Sequence, residues 1–134
     1  MDLFVDTSVW SLALRRDVAA DEPAIERLRH ALEAGEGVFT TGLVMQELLQ
    51  GIRGPKAREA IVERFSALPL LVPDRVDHIE AAEIRNTCRR SGVQIGTIDA
   101  LLAHLCRRHD LIMLTTDRDF ESMARHVDLR LWAP

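Results

Sequence analysis

The sequence predicts an α/β fold: a mainly parallel central sheet of four to five strands with helices on both faces. Three observations lead there. Short apolar runs recur along the chain, separated by longer stretches with helical spacing, and strands separated by helices join as parallel βα units. The 134 residues show no repeat, low-complexity tract or linker, and at ~100–200 residues per domain they make one unit, residues 1–134. Hydrophobic residues at 47 % and charged residues at 28 % give a globular profile.

Leu3-Phe4-Val5 is the first strand, and Thr7 or Ser8 caps a short helix carrying Val9, Trp10, Leu12, Ala13 and Leu14. Asp21-Glu22-Pro23 opens a second helix, with Ile25, Leu28 and Leu32 on one face and Gly35 and Gly37 at its end. Val38-Phe39-Thr40 is the second strand. Gly42 leads into a helix with Leu43, Leu48, Leu49 and Ile52, closed by Gly51, Gly54 and Pro55. Another helix runs from about Ala57 to Phe65, and Leu68 to Val72 is the third strand. Asp74 or Asp77 caps a long helix to Arg90 with Val76, Ile79, Ala82 and Ile84 as its apolar positions, stopped by Ser91-Gly92. Thr97 to Arg108 is a helix, Leu111 to Leu114 the fourth strand, Phe120 to His126 a short helix and Leu129 to Leu131 a last edge strand.

Composition excludes several classes. No apolar run approaches the ~20 residues of a membrane span. The start, Met1 to Asp6, has no basic region and is not read as a secretory leader. Cys88 and Cys106 are the only cysteines, which excludes a zinc ribbon and a disulfide framework and fits a reducing cytoplasm. A net charge of −4 argues against a non-specific nucleic-acid coat but leaves room for a local basic groove. Lys56 is the only lysine among 17 basic residues.

The acids carry the chemistry. Asp6 closes the first strand, Glu47 and Asp99 sit within apolar helical sequence, and Asp117 and Asp119 follow the fourth strand. A carboxylate in such surroundings is costly unless paired, hydrogen-bonded or bound to metal. A cap or a buried ion pair accounts for any one of them; several together, two beyond strand carboxyl ends where open α/β sheets bind ligands, point to a site. Carboxylates without Cys or His partners suit a hard cation such as Mg²⁺ or Mn²⁺. Such a cation acidifies water and clamps a phosphodiester. The histidines show no ligand spacing; His30, His104, His109 and His126 read as exposed or satisfied helix residues. The predicted nucleophile is therefore metal-activated water.

Asp6-Thr7-Ser8, Glu47-Leu48-Leu49-Gln50-Gly51, Gly96-Thr97-Ile98-Asp99-Ala100-Leu101-Leu102-Ala103 and Leu114-Thr115-Thr116-Asp117-Arg118-Asp119-Phe120 together resemble the PIN-domain ribonucleases, specifically the VapC toxins of bacterial toxin–antitoxin pairs. Each stretch is short; the four in order span nearly the whole chain. The resemblance implies a three-layer α/β/α fold and Mg²⁺-dependent RNA cleavage. It places Asp6, Glu47, Asp99 and Asp117 on the family's catalytic, metal-binding quartet and Asp119 on a fifth acid. Thr7 falls on the hydroxyl position beside the first acid and Thr116 on a small polar position near the site. A homodimer, a VapB antitoxin that wraps the toxin, and structured substrates such as tRNA or rRNA loops are implied as well.

Candidates to grip RNA phosphates are Arg118, between two site acids, Arg53 and Lys56 around Gly54-Pro55, and Arg15, with Arg16, Arg85, Arg89 and Arg90 as further basic positions. Trp10 and Leu14 belong either to the core or to an apolar groove for the antitoxin. A phosphoacceptor signalling module would need paired acids after the first strand and a late lysine, and a haloacid-dehalogenase phosphatase would need DxD there; both are absent. A PIN nuclease of DNA or general RNA processing and a non-catalytic PIN scaffold remain as alternatives.

Overall fold

Strand β1 (Leu3–Val5) has no polar face: Leu3, Phe4 and Val5 are all 0 % exposed. Such a strand needs cover on both sides. The computed structural model, which describes residues 2–15 and 22–134, supplies it. β2 (Val38–Thr41), β3 (Leu70–Leu71) and β4 (Ile112–Leu114) complete a sheet in the order β3-β2-β1-β4. Every pair is parallel; Phe4 lies opposite Phe39 and Met113, and Thr41 opposite Leu71. The helices are α1 (Thr7–Ala13), α2 (Pro23–Ala34), α3 (Gly42–Gln50), α4 (Pro55–Ser66), α5 (Arg75–Arg90), α6 (Thr97–Arg108) and α7 (Arg118–Ala124). α1 packs on α2 and α3, α3 on α4, and α5 along α6. The three-layer α/β/α architecture is thus the predicted one.

Local chemistry sets the element ends. The Val44 N–H donates to Thr41 Oγ1 at 3.1 Å, which starts α3. Gly54, at φ 89°, takes a left-handed turn into Pro55, so α4 begins two residues before the expected Ala57. Asp74 caps α5, and Asp77 answers it in a capping box; both expected caps take part. Asp117 caps α7, which therefore starts at Arg118 and not Phe120. Asp21 and Arg16 lie outside the described residues.

Three expectations are corrected. Asp6, and not Thr7 or Ser8, is the N-cap of α1, and no side chain caps it. On α5, Val76 and Ile79 point outward, each 59 % exposed, while Asp77, Ala81, Ile84 and Cys88 face the core. The inward stripe includes an acid, which makes the wrong face look apolar. The segment 129–131 forms one parallel bridge, Met113 to Leu131, and no strand. Only the Met113 N–H to Arg130 carbonyl bond and the Trp132 N–H to Met113 carbonyl bond hold it, each 2.9 Å.

Candidate active site

The strand order reverses at β1. From β1 the chain moves outward through β2 to β3, then crosses back to lay β4 on β1's other side. A reversal of this kind opens a crevice beyond the strand carboxyl ends. Asp6 follows β1 directly, and its N–H donates to the Leu114 carbonyl at 2.9 Å, joining the two strand ends. Asp117 follows β4 by three residues, and the first turn of α6 brings in Asp99.

Asp99, Asp117 and Asp119 each offer a carboxylate oxygen, and these oxygens lie within 4.8 Å of one another. Burial pushes the Asp99 carboxyl up to about 6, and the charges of Asp6, Asp117, Asp119 and Glu47 add to the effect. Geometry thus groups three of the five predicted acids, and the other two, Asp6 and Glu47, are near enough for their charges to act on Asp99. Asp6 is 6 % exposed. Glu47, at the solvent-facing rim of α3, is also raised, by burial first and then by Asp6, while the Thr7 hydroxyl pulls the other way. That hydroxyl is buried and makes no hydrogen bond of good geometry among the described residues. An all-oxygen set of clustered carboxylates suits a divalent, hard cation.

Two hydroxyls hold Asp6: Ser8, which the sequence offered only as a helix cap, and Thr115, to which it gave no role. Ser8 Oγ and Thr115 Oγ1 both donate to Asp6 Oδ2, each at 2.9 Å. Thr116 approaches only through its backbone: its N–H donates to Ser8 Oγ at 3.0 Å. The side chain on the acid is its neighbour's. The Asp119 N–H donates to Asp117 Oδ1 at 2.9 Å, which ties the last two acids together.

Arg118 is exposed between Asp117 and Asp119. Arg53 and Lys56 line a groove of about 650 Å³ with Leu14, Ile52, Pro55 and Ile61. Arg15 is exposed at the end of α1. The Arg85 Nε–H donates to the Ile95 carbonyl at 2.9 Å and shapes the turn before α6. Trp10 is 2 % exposed and tilts against Phe65 with centroids 5.0 Å apart. It is core, yet it also floors a second groove with Leu14, Ile25, Leu28 and Leu32. The histidines behave as expected: His104 is buried and bonded to Asp77 at 2.7 Å, and His30, His109 and His126 are exposed.

The PIN domain family model matches residues 3–126. Ribonuclease VapC23 of Mycobacterium tuberculosis is 32 % identical over 117 residues, 85 % of this chain and 90 % of that protein. Ribonuclease VapC11 of the same organism is 28 % identical over 130 residues, 96 % of each. Among solved structures, VapBC2 from Rickettsia felis, bound to a DNA fragment from its promoter, superposes with a TM-score of 0.77 at 16 % identity over 99 % of this chain and all of that one. The chain belongs to the PIN-domain family, in its VapC ribonuclease branch.

Proposed function

We propose that this chain, as a single PIN domain, is a metal-dependent endoribonuclease and the toxin of a toxin–antitoxin pair. The observation that supports this reading is the cluster of Asp99, Asp117 and Asp119 beyond the strand ends of a VapC-family chain, with Asp6 and Glu47 near enough to act on Asp99. Asp6, Glu47, Asp99 and Asp117 would hold Mg²⁺ or Mn²⁺ as the catalytic set, with Asp119 as a fifth ligand. When bound, the cation polarises the scissile phosphate and acidifies a water for attack. The chain's own task is to keep these carboxylates aligned and partly screened from bulk water. Arg118 meets phosphates at the site edge, and Arg53, Lys56 and Arg15 extend that contact. With aromatics at 4 % and no tyrosine, recognition rests on RNA shape and phosphates more than on base stacking. Structured tRNA or rRNA loops are the substrates this favours, and their cleavage stops translation and growth.

The apolar groove floored by Trp10 and edged by Leu14 receives the amphipathic segment of a VapB-like antitoxin. The acidic crevice suits a guanidinium from the same partner. The outward apolar face of α5 supports a homodimer. Buried, unpaired Cys88 and Cys106 fit a cytoplasmic setting. No helix among the described residues is long and apolar enough to cross a membrane.

The test incubates purified wild type and Asp99→Asn with a structured RNA and with duplex DNA, in Mg²⁺ and in EDTA. Wild type should cut RNA in Mg²⁺ only, and the variant should lose ~100-fold or more, since even outer-shell changes cost 10–100-fold. Cleavage in EDTA, preference for DNA, or a wild-type rate from Asp99→Asn would overturn the reading.

A further inference from the structure

We propose that Ser8 and Thr115 are positioning residues: they jointly grip one oxygen of Asp6, leave the other for the cation, and in doing so fix the loop that carries Asp117. The inference rests on the metal-dependent reading above.

Asp6 occupies the N-cap position of α1, with extended backbone at φ −72° and ψ 156°. A carboxylate there ordinarily accepts an N–H from the first turn. Asp6 makes no such bond. Its Oδ2 is instead drawn to two hydroxyls, each at 2.9 Å.

The direction of those bonds is set by proton counting. A hydroxyl carries one proton and accepts through its lone pairs. The Thr116 N–H donates to Ser8 Oγ and the Asp117 N–H donates to Thr115 Oγ1, both at 3.0 Å. Each hydroxyl already accepts from the backbone, and each lies closer to Asp6 Oδ2 than to the other hydroxyl, 2.9 Å against 3.3 Å. Both protons therefore go to Asp6 Oδ2. No hydrogen bond among the described residues falls on Asp6 Oδ1, which remains the free ligand atom.

The same bonds span the crevice. Ser8 belongs to α1, and Thr115 to Asp117 form the turn after β4. Through Thr115 the carboxylate of Asp6 is connected to the Asp117 backbone, and through the Asp117 side chain to the Asp119 N–H. Removing one hydroxyl thus releases Asp6 and loosens the turn that presents two further acids. Residues that orient ligands in this way carry 10–100-fold in metal affinity.

The experiment titrates Mn²⁺ into metal-free wild type, Thr115→Val, Thr115→Ser and Ser8→Ala by calorimetry, with circular dichroism for folding. Thr115→Val should bind Mn²⁺ ~10-fold or more weakly, Ser8→Ala should weaken in the same direction, and Thr115→Ser should keep wild-type affinity. Wild-type affinity in folded Thr115→Val, or equal losses in the Val and Ser variants, would overturn the positioning role while leaving the metal site standing. If Thr115→Val does not fold, wild-type affinity in Ser8→Ala overturns it instead. A wild type that binds no Mn²⁺ would overturn the metal reading and this inference with it.

Discussion

At the scale of residues, Asp99 carries an electrostatic cost, set first by burial and then by the repulsion of its acidic neighbours. Its carboxyl sits at about 6 in the folded chain, raised from 3.8 by burial and by its four acidic neighbours. Between those values the folded state keeps a proton that the unfolded state has released. Stability therefore falls as pH rises through that window and stays reduced above it. Asp99→Asn removes the penalty. Without metal, calorimetric melting at pH 7 should show the variant more stable by about 1 kcal/mol after allowance for solvent screening, with the advantage gone near pH 4. A variant that melts at or below wild type at pH 7 would show that burial and the neighbouring acids do not penalise the Asp99 charge. The five acids were legible in the sequence because a charge beside apolar residues is conspicuous. Ser8 and Thr115 were not: a hydroxyl carries no such signal, and adjacent Thr115 and Thr116 differ only in which way the chain turns after β4. The resemblance put Thr116 near the site, where its backbone N–H bonds Ser8 Oγ while the Thr115 side chain reaches Asp6.

At the scale of elements, α5 shows where pattern reading fails. Its core stripe, Asp77, Ala81, Ile84 and Cys88, follows helical spacing but begins with a carboxylate. Burial alone would raise that carboxyl. The Asp74 N–H, His104 at 2.7 Å and Arg108 at 2.6 Å outweigh burial and hold it well below the usual carboxylate range. A satisfied acid can thus take a core position, clamping α5 to α6, and the valine and isoleucine that looked like core residues turn outward. Val76 and Ile79, each 59 % exposed, give α5 an outward apolar strip that suits a self-complementary contact. Ile79→Arg should convert a dimer to a monomer in sedimentation velocity with its melting temperature little changed. A wild type that sediments as a monomer, or a variant that stays dimeric, would remove α5 from the interface.

For the whole molecule, the order of elements was readable because short apolar runs alternate with helical stretches, and parallel βα topology follows from that alternation. The two-residue β3 and the bridge at Leu131 were the weak points. Both lie at sheet margins, where few hydrogen bonds decide what counts as strand. The order β3-β2-β1-β4 could not be read from strand sequences, since any parallel order buries the same residues; it emerges from the crossover that returns β4 to β1. That crossover brings Asp117 and Asp119 to Asp6, and it makes a carboxylate crevice without histidine. His104 and His30, the histidines paired with acids among the described residues, are bonded to Asp77 and Glu36, outside the acidic crevice. The central claim is that this crevice hydrolyses RNA with water and not through the ribose 2′-hydroxyl. Mass spectrometry of the products of Mg²⁺-dependent cleavage tests it most directly. The account predicts 5′-phosphate and 3′-hydroxyl ends; a 2′,3′-cyclic phosphate would contradict it.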